Sequence, residues 1–301
     1  MLIHTARPGP MAPANAGKNG HVRSLAPLAL AALLVVSGCA HEPGSSASAR
    51  LDVDPAEVGE VRAGSGYLNG YLTRADMPDS LALLEPPPAE GSAAFEADKE
   101  AYGALTALRN GPRGDQAVQD ANLNFPAAAS TFSCALGVAI SEEATPNLNM
   151  LLRRTLTDAG GATYRAKDEY QRTRPFVYFK SASCTPESEA HLAKDGSYPS
   201  GHSALGWAWA LVLTEVVPDR ADEILGRGYQ FGQSRAICGV HWQSDVDAGR
   251  VVGASAVARL HSDPTFLAQL AAARQEVEIA RETQAPPPAC EIKPASLAAR
   301  P

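Results

Sequence analysis

The chain has 301 residues, enough for one sizeable domain or two small ones, and 45% of them are hydrophobic, as in an ordinary globular core. Its 33 acidic against 26 basic side chains leave a net charge of -7, which argues against nucleic acid or an anionic membrane surface as a partner. An anionic substrate would therefore have to be held by a local cluster of cations.

Lys18 and Arg23 precede an apolar run from Leu25 to Val36, closed by Ser37, Gly38 and Cys39, which is the layout of an export signal. The run is too short to cross a bilayer by itself. Val36-Ser37-Gly38-Cys39 resembles the cleavage box of bacterial lipoproteins, in which the Cys becomes the acylated first residue of the mature chain. Secretion with Cys39 lost or unmodified is the alternative. The expected organisation is a signal peptide over 1–38 and a flexible tether over 39–66, rich in Gly, Ser, Ala and acidic residues. A folded domain over 67–283 follows, then a loose tail over 284–301 that contains Pro286-Pro287-Pro288. The expected location is the periplasm, with membrane contact only through a lipid on Cys39.

Inside the domain, apolar residues recur mostly at helical spacing, as in Phe95, Tyr102, Leu105 and Leu108, or Leu148, Leu151, Leu152 and Leu156. Alternating strand patterns are scarce, so the chain reads as mostly α and as a single domain, with Pro86-Pro87-Pro88 as a rigid connector. Gly201 to Val217 predicts an apolar helix opened by a polar turn, and Asp219 predicts the N-cap of a helix through Ile224 and Leu225. Glu215 and the following Pro218-Asp219 make the Gly201 helix a core element rather than a membrane span.

Three short clusters gather residues able to hold or attack a phosphate: Lys167 with Arg174-Pro175, Pro199-Ser200-Gly201-His202, and Ser234-Arg235 with His241 and Asp245. Phosphoryl transfer needs positioning and charge stabilisation, which Lys, Arg and backbone N–H groups supply. Gly201 lets the backbone approach an anion closely and opens a helix whose N-terminus favours negative charge. A helix through Trp242, Val246 and Val251 would put His241 and Asp245 on one face, where the Asp fixes the imidazole tautomer. His241 is then the candidate nucleophile and His202 the candidate general acid and base.

Together these clusters form a pattern: Lys, six residues, Arg-Pro, then Pro-Ser-Gly-His, then Ser-Arg, five residues, His, three residues, Asp. Eleven fixed positions at about one in twenty each leave a chance match on the order of one in a billion. The pattern resembles the signature of the type 2 phosphatidic acid phosphatase superfamily. Asp79 to Leu84, Lys194 to Trp207 and Gly228 to Gly253 further resemble the class A bacterial nonspecific acid phosphatases, over roughly residues 67–275. That resemblance implies an all-helical fold, no metal or other cofactor, and hydrolysis of phosphate monoesters such as nucleotides and sugar phosphates. By position it implies phosphate binding by Lys167, Arg174, Ser200, Gly201, His202 and Arg235, a covalent intermediate on His241, and Asp245 as its orienting partner. It also suggests a homodimer or larger homo-oligomer. Ser203 stands where many family members have Thr, which keeps the hydroxyl, and the lipoprotein box is a second departure.

If Cys39 is acylated, Cys134, Cys184, Cys238 and Cys290 remain, an even number that allows three pairings in an oxidising compartment. Cys184 and Cys238 flank the two halves of the candidate site and are the favoured pair, with free buried cysteines the alternative. His191 and His261 are expected at the surface or as caps, and Trp207, Trp209 and Trp242 in the core or pocket wall, with Trp242 nearest the site. No Cys or His spacing resembles a zinc site. The competing functions are a non-catalytic phosphoester-binding lipoprotein and, within the same superfamily, a lipid or pyrophosphate phosphatase or a vanadium haloperoxidase.

Overall fold

The computed structural model describes residues 54–284 and Pro287. The expected signal peptide, Cys39 and Cys290 lie outside the described residues, as does most of the expected tail. Among the described residues the chain is all-α, with fourteen α-helices and no strand. One isolated antiparallel bridge joins Glu60 and Leu68.

In chain order the helices are α1 (Pro55–Val58), α2 (Ser80–Leu83), α3 (Ala93–Thr106), α4 (Pro112–Gln119), α5 (Ala127–Ser130), α6 (Ser133–Leu136) and α7 (Pro146–Gly161). They continue with α8 (Tyr164–Tyr170), α9 (Pro175–Tyr178), α10 (Pro186–Leu192), α11 (Gly201–Val216), α12 (Ala221–Ile237), α13 (Gln243–Leu260) and α14 (Pro264–Thr283). Proline at the first turn of α7, α9, α10 and α14 starts each helix where a missing N–H costs nothing.

Helix α11 is apolar on nearly every face, and a helix of that kind is stable only when surrounded. It is enclosed by α7, α12, α13 and α14. Leu148, Leu151 and Leu152 of α7 meet Trp209 and Leu213 of α11, Phe231 of α12 and Phe266 of α14 in one buried cluster. The Trp209 indole N–H donates to the Leu152 carbonyl at 2.9 Å, so the bulkiest core side chain is also polar-satisfied. No helix among the described residues is long and apolar enough to cross a membrane.

Two expectations need correction. Residues 54–66 belong to the fold rather than to a free tether: α1 is capped by Asp54, and Val61 N–H bonds the Tyr67 carbonyl at 2.9 Å. Asp219 does not cap α12, because Pro218 at the preceding position winds Pro218–Arg220 into a 3₁₀ turn before Ala221 begins the helix. Its carboxylate turns outward and pairs with Arg281 of α14 at 2.6 Å.

The crossing of α11 and α13 is set by glycine. A Cβ on Gly253 would lie 2.2 Å from the Ala204 carbonyl oxygen, and one on Gly249 would lie 2.5 Å from the Ser200 carbonyl oxygen. Both helices begin in the candidate site, so this close contact fixes their starting points relative to each other. Gly253→Ala should therefore force them apart and lower stability by about 1–3 kcal/mol, as overpacking does. Urea denaturation monitored by tryptophan fluorescence reads this, and an unchanged midpoint would contradict the packing described.

Candidate active site

The three sequence clusters converge on one cleft of about 1220 Å³, whose lining includes Lys167, Arg174, Gly201, His202, Arg235 and His241. Each arrives at a helix end. Lys167 lies in α8, Arg174 caps α9, Ser200 caps α11, Arg235 sits in the last turn of α12, and His241 lies just before α13.

Lys167, Arg174, Arg235 and His241 are each no more than 4% exposed. Buried cations require acceptors, and backbone carbonyls supply most of them. Lys167 Nζ donates to the Gly196 carbonyl at 2.6 Å. Arg174 donates through Nε to the Leu192 carbonyl at 2.8 Å and through Nη1 to the Val240 carbonyl at 3.0 Å. Its Nη2 reaches Asp195 Oδ2 at 3.0 Å, and the same carboxylate stands 3.5 Å from Lys167 Nζ. Arg235 differs: its Nε and Nη1 are buried with no hydrogen-bond partner among the described residues. A guanidinium that lines a cleft with two buried donors unanswered is a candidate partner for an anion.

Ser200 N–H is held by the Asp245 carbonyl at 2.9 Å, which ties the start of α11 to the first turn of α13. The Ser200 Oγ accepts from Ser203 N–H at 3.3 Å and from the Ser203 hydroxyl at 2.9 Å. Its own proton is therefore free to point elsewhere, and the hydroxyl that Ser203 retains serves this purpose.

His241 and Asp245 meet by a different route from the one expected. Helix α13 starts at Gln243, so His241 precedes it and the two side chains do not share a helical face. Asp245 instead folds back over the helix start, accepting from Trp242 N–H at 2.8 Å and standing 3.3 Å from His241 Nδ1 through the same Oδ2. His241 Nε2 faces Arg174 Nη1 at 3.1 Å. His202 is half-buried, and its Nε2 lies 3.2 Å from the Ala121 carbonyl, which fixes Nε2 as the protonated nitrogen of the neutral ring.

Burial sets the titration of the site, and the cations reinforce it. Desolvation, then Arg174, Lys167 and Arg235, hold His241 well below the usual imidazole range. Desolvation and Arg235 do the same for His202. Burial lowers Lys167 to about 8 and Arg235 to about 9. Asp245 is pushed up by burial, against the pull of Arg172 and the Trp242 N–H.

Cys184 and Cys238 form a disulfide with Cα atoms 4.8 Å apart, joining the segment before α10 to the turn that carries His241. His261 bonds Glu215 and the Val257 carbonyl, away from the cleft. His191, expected at the surface, is exposed but also lines the cleft mouth. Trp242 backs the site, its indole N–H donating to the Thr173 carbonyl at 2.8 Å. Four supporting residues escaped the sequence reading: Arg172, Asp98, Asp195 and Asp120. Only Arg172 carried a signal, two residues before the Arg-Pro pair; the carboxylates acquire their roles through distant partners.

Residues 148–266 match the family model described as the PAP2 superfamily. The chain is similar to the non-specific acid phosphatase of Providencia stuartii, 50% identical over 207 residues that make up 68% of this chain and 84% of that protein. It is similar to the non-specific acid phosphatase of Salmonella typhimurium, 49% identical over 66% of this chain and 80% of that protein. An acid phosphatase of Zymomonas mobilis is 39% identical over 67% of this chain and 77% of its own length. The chain thus belongs to the PAP2 superfamily and, within it, to the class A bacterial non-specific acid phosphatases. Its activity is that of an acid phosphatase.

Asp120 underlies the His202 side of the cleft. Fully buried, it pairs with Arg227 and accepts from the Ser234 hydroxyl at 2.5 Å, and the next residue presents its carbonyl to His202. Asp120→Ala should leave Arg227 as an uncompensated, largely buried cation and cost about 3–5 kcal/mol. Chemical denaturation of the purified variant measures this, and a loss below about 1 kcal/mol would contradict the network's role.

Proposed function

We propose that the chain hydrolyses phosphate monoesters of broad type through a phosphohistidine on His241, with His202 as general acid and then general base, and without a metal ion. The observation that carries this reading is the open pair of Arg235 donors, buried beside the two imidazoles, Lys167 and Arg174. Lys167, Arg174, Arg235, the Ser200 hydroxyl and the first N–H groups of α11 would hold the phosphoryl oxygens and carry their charge. His241 Nε2 attacks phosphorus while Nδ1–H stays on Asp245. The ester P–O bond breaks, and the leaving oxygen takes a proton from His202 Nδ1. Water then attacks the phosphoryl group and gives its proton back to His202. The N–P bond breaks and phosphate leaves.

The size of the cleft, far beyond a phosphate, and its mixed polar and apolar walls support a loose hold on the leaving group and hence broad substrate choice. The signal layout ending at Cys39 supports a periplasmic, lipid-anchored protein, and the family resemblance supports a homo-oligomer.

His241→Ala should abolish turnover of a chromogenic phosphate ester and also abolish acid-quench trapping of labelled phosphate on the protein. Retained inorganic phosphate binding by the variant fits the proposal. Unchanged turnover overturns it and favours another nucleophile. A non-catalytic phosphoester-binding role predicts no turnover in the wild-type chain.

The titration of the two rings fixes the pH dependence. His241 must be neutral to attack, and its lowered pKa keeps it neutral well into acid. His202 must be protonated to donate, and its lowered pKa confines that form to acid. Activity should accordingly peak in acid and fall as pH rises through the lowered His202 pKa, with the descending inflection of kcat/KM below about 6.5. A profile that peaks in alkali contradicts the assignment of His202 as acid.

A further inference from the structure

We propose that Arg172, which lies outside the eleven signature positions, is a positioning residue for the reaction: it holds the Asp245 carboxylate so that its second oxygen alone faces His241. This rests on His241 being the nucleophile.

The geometry is specific. Arg172 Nη1 donates to Asp245 Oδ1 at 2.5 Å and to the Ser244 hydroxyl at 2.8 Å, while Nη2 donates to Asp98 Oδ2 at 2.7 Å. Asp98, on α3, also accepts from Ser244 N–H at 2.9 Å and from the Ser244 hydroxyl at 2.5 Å. The guanidinium carbon stands 5.3 Å from the Trp242 ring and 5.8 Å from the Phe95 ring, so the fork is held by two aromatics as well as by two carboxylates. An unbroken row runs inward from α3: Asp98, Arg172, Asp245, His241.

Asp245 has no exposed surface, and a carboxylate in that position stays ionised only with strong partners. Oδ2 is shared between Trp242 N–H and His241 Nδ1, so Oδ1 depends on Arg172. With Oδ1 empty, the carboxyl group would take up a proton more readily. A neutral Asp245 could neither fix the His241 tautomer nor stabilise the positive ring that attack on phosphorus creates. The charged and titratable groups around Asp245 are Arg172 with Asp98 behind it, His241, Lys167 and Arg174 on the cradle side, and Tyr198. Of these, Arg172 is the cation with a hydrogen bond to the carboxylate.

The test compares Arg172→Gln, Arg172→Lys and Asp98→Asn with the wild type in steady-state pH profiles and in acid-quench trapping of the phosphoenzyme. Arg172→Gln should lower kcat by about 100-fold with KM changed less than about threefold, because what is lost acts on the nucleophile rather than on substrate binding. Its acid limb in kcat/KM should move to higher pH, since Asp245 loses its cation. Arg172→Lys should recover part of both effects. Asp98→Asn should leave the acid limb in place or move it to lower pH, since the guanidinium keeps Asp245 and loses a competing anion.

A purely structural tie would lower activity at every pH alike, and that result overturns the proposal. An upward shift in Asp98→Asn equal to that of Arg172→Gln overturns it too. If Arg172→Gln does not fold, Arg172→Lys decides, and an unmoved acid limb in that variant counts against the proposal. The wild-type trap separates the two readings. Wild-type label with wild-type profiles in the Arg172 variants sinks only the role of Arg172, whereas no label in active wild type sinks the phosphohistidine itself.

Discussion

Gathering three cations where water hardly reaches is the costliest feature of this molecule, and much of the site is built to meet that cost. Burial first, then the Arg174 charge, pulls Lys167 down to about 8 and Arg235 to about 9 even with carboxylates nearby. The Gly196, Leu192 and Val240 carbonyls and the Asp195 carboxylate offset this for Lys167 and Arg174. Arg235 keeps two donors unanswered among the described residues. The same positive field, added to desolvation, keeps both imidazoles neutral. In the proposed mechanism, nucleophile availability and acid dependence would therefore share one electrostatic origin with anion affinity.

Such a cluster holds its shape only if the backbone carrying it is rigid, and the turn before His241 is tied from several sides. Arg109 donates to the Ile237, Cys238 and Ala182 carbonyls at 2.8, 3.1 and 2.7 Å. Phe176 N–H bonds the Gly239 carbonyl at 3.1 Å, and the Cys184–Cys238 disulfide joins the same two segments covalently. Gly239 has φ +71°, and a Cβ there would lie 1.9 Å from Arg109 Nη2, so glycine is required both for the turn and for the clamp beside it. His241, the proposed nucleophile, thus sits on a short, clamped turn between two packed helices, α12 and α13.

The parts of this design that sequence discloses are those written in local spacing. The leucines of α7 at positions 148, 151, 152 and 156 are all buried, and the apolar run from Gly201 becomes the enclosed helix α11. Six of the eleven signature residues line one cleft, and their types at fixed separations are those expected of a phosphate cradle beside an oriented imidazole. Residues whose meaning comes from a distant partner are silent in the sequence. Asp98 is one acidic residue among several on α3 until Ser244, 146 positions away, and Arg172 fold against it. Asp219 has the composition of a cap, yet Pro218 diverts the chain into a 3₁₀ turn and Arg281 claims the carboxylate. The His241–Asp245 spacing suggested a shared helix face, whereas the contact comes from a side chain reversing over a helix start, which spacing does not distinguish.

The two imidazoles are backed by different acceptors, and this asymmetry supports their proposed division of labour. His241 rests on a carboxylate, which favours a ring that turns positive when phosphorus is bound to it. His202 rests on the Ala121 carbonyl, a neutral acceptor that fixes the tautomer without holding the ring in its charged form. A ring of the second kind gives up its proton easily, as a general acid must. The Ser234-Arg235 pair serves both sides of this arrangement. Ser234 donates to Asp120, which steadies the chain that presents the Ala121 carbonyl, while Arg235 lines the cleft. In that light Ser234 supports His202 from below rather than touching substrate, and two adjacent residues at one helix end link the acid to the anion it would act upon.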